Sequence, residues 1–510
     1  MYIGGTLMRY KSFEIENYRA IKDKVIIDLE KRIIPLVGVN ECGKTTILQA
    51  IFCFDHENDD EYEGKHLKDI KSLYETGSSF NAKITANIET SVDELDEIVS
   101  EIVTNYKSSH PDTAEEDFAE YDKLMSSSAK NALFSIVRDI GTKKYSFGSL
   151  FTELSDETQD KLCKEIISYL PYILYNDDFM DRPQNEITIS TSKSRLSGWE
   201  AIFNRVFQST DPSYSLNATI NEPNSKIRSS IIADVEEFLN SSLTNEWTKF
   251  GPKKQKISTS LELDVEKRCL KITIKDELNG KKRYFDISNR SKGFIWYYNF
   301  IMKIRFNPKY TYNAKDTVFL LDEPGSYLHE VAQSNLCEKL KDISDKEEIV
   351  VYCTHSPRLL SPDHIPINNV LIVDKSNNGQ ISVASLTTYK TTSKQNTALQ
   401  PIYEALMVPE YECVKKDEKL LCVEGIYDKY SIEMFVDLPE NCRVFPSVNA
   451  NSIINNIQYF LAYQKPYIAL WDNDTEGKKC RGIAKKNFGI IESENFLLLP
   501  EPKGKSKRRM

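Results

Sequence analysis

Residues 38–46 read G-V-N-E-C-G-K-T-T, and this stretch constrains the chain more than any other. An apolar run, I-I-P-L-V, leads into it and another, I-L-Q-A-I, leaves it. Strand, glycine-rich turn and helix in that order make a pocket for polyphosphate, because turn N–H groups and the helix N-terminus both point at the anion. Gly38 and Gly43 permit the tight turn, Lys44 reaches the outer phosphates, and Thr45 supplies a hydroxyl for Mg²⁺. Asn40 and Thr46 complete the set of residues expected around the phosphates.

The chain is 510 residues long, 40% hydrophobic and 28% charged, which is room for two or three globular domains. It shows no apolar run near the length of a membrane span, and its start, M-Y-I-G-G-T-L-M-R-Y-K, lacks a signal-peptide core, so a cytoplasmic protein with no membrane partner is expected. Ten cysteines without a C-x-x-C pair read as reduced, mostly buried thiols. The net charge of −10 excludes a surface coated with nucleic acid but says nothing of one groove. From Lys478 onward ten Lys/Arg stand against three Glu, so the chain ends basic.

Alternation in K-S-F-E-I-E-N-Y-R-A-I and K-V-I-I-D-L predicts two edge strands before the phosphate loop, and N-A-K-I-T-A-N-I a further strand after it. The acidic residues 55–63 between them read as a solvated loop. Residues 93–247 change to apolar spacings of three and four and read as a mainly helical insertion, interrupted by a strand at Y-L-P-Y-I-L-Y. Residues 258–286 read as strands, with Asn279-Gly280 marking a hairpin. The turn S-N-R-S-K-G-F and an aromatic helix-like run follow. T-V-F-L-L-D-E-P is an apolar strand ending in Asp322, placed to hold Mg²⁺ through water, and Glu323, placed to orient or deprotonate the attacking water. A later strand ends at His355, a candidate contact to the γ-phosphate.

Phosphate loop, S-x-G turn, Asp-Glu strand and His strand in this order resemble the ATPase core of the ABC and SMC-like superfamily. That resemblance implies ATP and Mg²⁺ as cofactors and a homodimer, or higher oligomer, through ATPase heads. Ser291 and Gly293 of one subunit would then meet the γ-phosphate held by Lys44 of the other. The turn here reads R-S-K-G-F where the superfamily has L-S-G-G-Q.

Beyond residue 412 the chain reads K-L-L-C-V-E-G-I-Y-D, then a strand and a helix, then Y-I-A-L-W-D-N-D, then F-L-L-L-P. Glu424 and Asp428, four apart, can share one side of a helix start. Asp472 and Asp474 close a strand, and oxygen ligands of this kind suit hard Mg²⁺ or Mn²⁺ ions. The V-E-G…D-x-D arrangement resembles a Toprim domain. A Toprim domain behind such an ATPase resembles the OLD family of nucleases, which implies Glu424 in metal binding and acid–base work, Asp472 and Asp474 as metal ligands, and Asp428, Thr475 and Glu476 as helpers. Lys503, Lys505 or Lys507 would supply positive charge to the cleaved phosphate, since little chain follows Pro500.

The expected fold is therefore α/β: an ABC-type P-loop ATPase with a helical insertion, followed by a Rossmann-like Toprim domain. The expected domains are 1–92, first part of the ATPase; 93–247, helical insertion; 248–412, second part of the ATPase; and 413–510, Toprim. The expected function is an ATP-gated, metal-dependent DNA endonuclease in defence against phage, with a further defence protein or nucleic acid as an additional partner. The alternatives are a DNA-sensing SMC-like ATPase whose Toprim domain is inactive or needs a partner, and, less favoured, a primase- or topoisomerase-like enzyme.

Overall fold

The computed structural model describes residues 8–59, 82–109, 133–177, 184–191, 198–250, 256–278, 281–306, 317–346, 348–361, 364–385, 388–389, 418–439, 441–462 and 465–500. They fall into two units, Met1–Leu36 with Asn40–Val383, and Val37–Val39 with Ala384–Met510.

The first unit opens with β1 (Arg9–Glu16) and β2 (Val25–Asp28), the expected antiparallel pair, with Phe13 opposite Ile27. β3 (Ile33–Val37) is buried at every position, as a strand covered on both faces must be. It feeds α1 (Lys44–Phe52). β4 (Lys83–Glu89) buries every second residue, and α2 (Val92–Ser109) follows with Leu95, Val99 and Ile102 inward. Next come β5 (Leu133–Asp139), β6 (Lys144–Phe147), α3 (Asp156–Ile167), β7 (Tyr172–Asp177), β8 (Glu186–Thr188), α4 (Gly198–Thr210), α5 (Leu216–Asn221) and α6 (Ser225–Phe250). Most of the described residues in 93–247 are helical, and they also carry four strands, β5 to β8, where one was expected at Y-L-P-Y-I-L-Y. L-F-S-I-V-R-D in β5 alternates at period two, and its buried half completes the sheet β2-β1-β4-β5-β6 instead of packing as a helix.

β9 (Lys256–Asp264), β10 (Cys269–Leu278) and β11 (Lys281–Asp286) pair antiparallel about β10, with Leu278 opposite Lys281. The Asn279-Gly280 turn expected between β10 and β11 lies outside the described residues. α7 (Lys292–Phe306), β12 (Thr317–Asp322), α8 (Glu330–Ser344), β13 (Ile349–Thr354), β14 (Leu371–Lys375) and β15 (Ile381–Ser385) follow. β3, β12 and β13 lie inside the six-stranded sheet β15-β14-β3-β13-β12-β7, which accounts for their unbroken apolar runs.

The start of the acidic stretch is not a solvated loop. Asp55 is 5% exposed and accepts from the Glu57 amide (2.9 Å), while both oxygens of Asp59 accept from Nη2 of Arg138 (2.9 and 2.7 Å). Residues 60–63 lie outside the described residues. Arg138 itself is fully buried on β5, donates to the carbonyl of Cys53 (2.5 Å) and lies over the ring of Tyr145, whose hydroxyl donates to the carbonyl of Phe54. A guanidinium neutralised in this way clamps the end of α1 to the five-stranded sheet.

The second unit alternates strand and helix: β16 (Lys419–Val423), α9 (Ile426–Phe435), β17 (Cys442–Pro446), α10 (Ala450–Ala462), β18 (Tyr467–Trp471), α11 (Thr475–Glu492) and β19 (Phe496–Leu498). Its strands are parallel in the order β17-β16-β18-β19. Its core gathers Leu420, Phe445, Ile453, Ile457, Trp471 and Phe496, and the Trp471 indole N–H donates to the carbonyl of Ala450 (2.9 Å).

Arg138→Ala would leave the Cys53 carbonyl without its buried donor and the part-buried Asp59 carboxylate with only the more distant Lys143 (3.8 Å), a cost of about 3 kcal/mol. A thermal melt should show a fall in Tm of several degrees, only partly recovered by Arg138→Lys, whose single ammonium cannot place separate nitrogens on the Asp59 carboxylate and the Cys53 carbonyl.

Candidate functional site

The glycine turn delivers Lys44 to the first position of α1, where its side chain is 5% exposed. Gly43 caps the helix at φ +108°, a conformation that L side chains rarely adopt, and a Cβ there would lie 2.1 Å from Cδ1 of Ile381. Gly38 is buried, Asn40 exposed and Thr46 half-buried in the first helical turn. The position of α1 behind a fully buried strand aims its N-terminal dipole out of the sheet edge.

Parallel pairing brings the other elements to the same edge. β12 runs beside β13 with Leu321 opposite Tyr352, and beside β7 with Asp322 opposite Asp177. Thr45 Oγ1 donates to Asp322 Oδ1 (3.1 Å), and Tyr175 Oη donates to the other carboxylate oxygen, Oδ2 (3.1 Å). Sequence reasoning found this strand but not the role of Tyr175; the residue's place near the end of β7, two before the partner of Asp322, was the available signal. Glu323 has φ +49°, a strained position for a residue with a side chain, and lies 3.1 Å from His355 Nε2. Lys44 Nζ lies 2.9 Å from the same nitrogen. One ring nitrogen cannot serve both at once: it accepts from the ammonium through its lone pair or donates to Glu323 through its proton. Burial pushes the neighbouring thiols of Cys42 and Cys353 upward, so both stay protonated and unreactive.

Ser291 Oγ accepts from the Phe294 amide (3.3 Å) and so caps α7. Gly293 sits under the loop after β12, where a Cβ would approach the Tyr327 carbonyl oxygen to 3.1 Å. The turn is therefore joined to the Asp322–Glu323 segment through Tyr327. Among the described residues no hydrogen bond links Ser291 to Lys44 of the same chain.

The acids of the second unit meet at one crevice. The chain passes from β16 to β17 on one side and then back to β18 on the other, so the strand order reverses between β16 and β18, where α/β sheets bind ligands. Glu424 leaves β16 there and Asp472 leaves β18, and the Asp472 amide donates across to Glu424 Oε1 (2.8 Å). Asp428 Oδ2 accepts from the Gly425 amide (2.8 Å), and Asp474 Oδ1 from the Gly477 amide (2.7 Å), so each caps the helix start beside it. Thr475 and Glu476 are exposed in the first turn of α11, and Lys503, Lys505 and Lys507 lie outside the described residues.

Burial, then the charges of Asp472, Asp474 and Asp428, hold the Glu424 carboxyl above its usual range, although the Asp472 amide pulls the other way. Burial, then Asp428 and Asp474, raises Asp472 likewise. The four acids thus feel one another as like charges. Among the described residues, no three His, Cys, Asp or Glu side chains already stand as a cage for one ion. Sequence reasoning passed over Gly477: a Cβ there would lie 2.2 Å from the Asp472 carbonyl oxygen and 3.0 Å from Glu424 Oε1, so only glycine lets α11 start this close to both acids.

A model of the AAA ATPase domain family (AAA_15) matches residues 8–360. An uncharacterized protein of Methanocaldococcus jannaschii is 28% identical over 153 residues, 30% of this chain and 38% of that protein, so the match spans well under half of the relative's length. Among solved structures, the SMC head domain from Thermotoga maritima is 12% identical with a TM-score of 0.35, covering 74% of this chain and 98% of that one. The Smc head domain with an extended coiled coil bound to the C-terminal domain of ScpA, derived from Pyrococcus furiosus, is 12% identical with a TM-score of 0.42, covering 74% and 96%. No helix among the described residues is long and apolar enough to cross a membrane.

Because the folded-state pKa of Glu424 and Asp472 is raised, each contributes stability at pH values below the unfolded value of about 4, and loses it as pH rises through the raised one. In EDTA at neutral pH, Asp472→Asn should therefore melt a few degrees above the unsubstituted protein, with the gap closing as pH falls through the carboxylate range. Gly477→Ala should act in the opposite sense, lowering Tm by displacing the start of α11, which a melt of the same preparation would register.

Proposed function

This chain belongs to the AAA ATPase domain family, and from that premise we propose that it is an ATP-gated, divalent-metal-dependent DNA endonuclease. The observation that carries the nuclease reading is the Asp472 amide held 2.8 Å from Glu424 at the reversal of strand order, with Asp428 and Asp474 close enough to raise the pKa of the acids there. Four carboxylates that repel one another at a sheet's carboxyl edge gain most from a hard cation, and Mg²⁺ or Mn²⁺ bound there would polarise a phosphodiester and lower the pKa of an attacking water. Asp472 and Asp474 would be the principal ligands, with Asp428 assisting and Glu424 shared between ligation and proton transfer. We assign residues 413–510 to this Toprim-type domain and 1–92 with 248–412 to the ATPase, with 93–247 inserted between.

In the ATPase, Lys44 and the N-terminus of α1 bind the β- and γ-phosphates. Thr45 and Asp322, already in contact, hold Mg²⁺, with Tyr175 fixing the second Asp322 oxygen. Drawing Lys44 onto phosphate frees the His355 nitrogen for Glu323 or for the γ-phosphate, which makes the three side chains responsive to nucleotide. Two heads would close on two ATP molecules, each offering Ser291 and Gly293 to the other's γ-phosphate, and that closure would govern access of DNA to the acids. A cytoplasmic role in defence against phage, with a further protein or nucleic acid as trigger, completes the proposal.

A second reading is favoured by the lack of a ready ion cage among the described residues: a DNA-sensing ATPase whose acid crevice is inactive or completed by a partner. Plasmid and linear DNA cleavage in Mg²⁺ or Mn²⁺, with and without ATP, separates the two. For the nuclease, Asp472→Ala should abolish cleavage, whereas Lys44→Ala should slow ATP turnover at least about 10²-fold, the cost of losing one preorganised charge contact, and remove any ATP effect on cleavage. Cleavage no greater than that of Asp472→Ala under every condition would leave the sensor reading.

A further inference from the structure

Neither the fold nor the acid crevice uses Tyr427. It stands in the first turn of α9, three residues after Glu424 and one before Asp428, and is 82% exposed. Its backbone carbonyl accepts from Ser431 (2.8 Å), but its ring and hydroxyl have no partner among the described residues. Three residues of chain span at most about 10 Å, so the Tyr427 backbone lies within that distance of Glu424 at the crevice.

The surroundings select what such a ring can bind. α9 turns Lys429 inward, 3% exposed and paired with Glu433, and presents its rings to water, with Phe435 80% exposed at its far end. α11 begins on the β18 side of the same crevice and carries exposed Lys478 and Lys479 in its opening turns. One flank therefore offers a flat apolar surface, the other positive charge, and carboxylates lie between. A ligand with a phosphate backbone and flat faces along its length satisfies all three features. A duplex hides its base faces inside the stack, whereas a single strand exposes them.

We propose that Tyr427 is a stacking platform for an unpaired base, and that the crevice takes single-stranded DNA, with Lys478 and Lys479 on its phosphates and the base on the ring. This rests on the nuclease reading for the role of the crevice, but it is tested by binding alone. The base docks beside Glu424, which sets the phosphodiester of that nucleotide over the acids. A hydroxyl is not needed for stacking, so any aromatic ring at 427 serves.

The test is fluorescence anisotropy with a fluorescein-labelled 20-mer oligodeoxythymidine and a duplex of the same length, in Ca²⁺, using the full chain. Stacking is worth about 1–3 kcal/mol per base, so Tyr427→Ala should weaken single-strand binding about 5- to 150-fold. Tyr427→Phe and Tyr427→Trp should bind like the unsubstituted protein, duplex affinity should not change, and unaltered melts would confirm folding. Equal single-strand affinity of Tyr427→Ala and the unsubstituted protein would overturn the proposal and leave the exposed face to a protein partner, and so would failure of the unsubstituted protein to bind single strands. If Tyr427→Ala loses single-strand binding while no variant cleaves DNA, the stacking site stands and the nuclease reading falls. If Asp472→Ala alone loses cleavage and Tyr427→Ala binds normally, the reverse holds.

Discussion

A buried ammonium organises the first unit. Lys44 has little water around it, and its ammonium lies 3.9 Å from the Cys42 thiol and 2.9 Å from the His355 nitrogen. Everything needed to answer that charge converges on the same edge because β3, β12 and β13 lie within one sheet: Thr45 on one element, Asp322 and Glu323 on a second, His355 on a third. Glu323 pairs a positive φ at the end of β12 with a carboxylate 3.1 Å from the histidine.

The second unit is governed by repulsion instead. Glu424 and Asp472 are raised by burial and by neighbouring acids, and the amide that crosses between them orients the pair without neutralising it. Asp428 and Asp474 each spend one oxygen on a helix start, which fixes their positions and leaves the other oxygen to face the crevice or water. Fixed acids that cannot relax apart make a cluster whose stability depends on pH, whereas a surface scatter of the same residues would not.

Much of this was legible in residue order. G-V-N-E-C-G-K-T-T, the apolar strand ending in Asp322 and the strand ending before His355 carry period and chemistry together, and the structure places them at one edge. What escaped depends on three-dimensional neighbours. β5 alternates over seven residues inside a stretch dominated by helical spacing, and its pairing with β4 and β6 places it in a sheet with one face buried. Asp59 reads as one more acid in an acidic run until Arg138, 79 residues later, claims it. Tyr175 needs the parallel register with β12, and Gly477 needs the Asp472 carbonyl beneath it, to show why those residue types are there.

α1 is held at both ends. Its first turn carries Lys44, and the carbonyls of Cys53 and Phe54 at its other end are gripped by Arg138 and Tyr145 from the five-stranded sheet. A nine-residue helix is about 13 Å long and too short to bend appreciably, so it behaves as a strut. Under the proposed phosphate binding, a push at the first turn of α1 would reach β5 and β6, which gives the stretch that reads as an inserted segment a mechanical address.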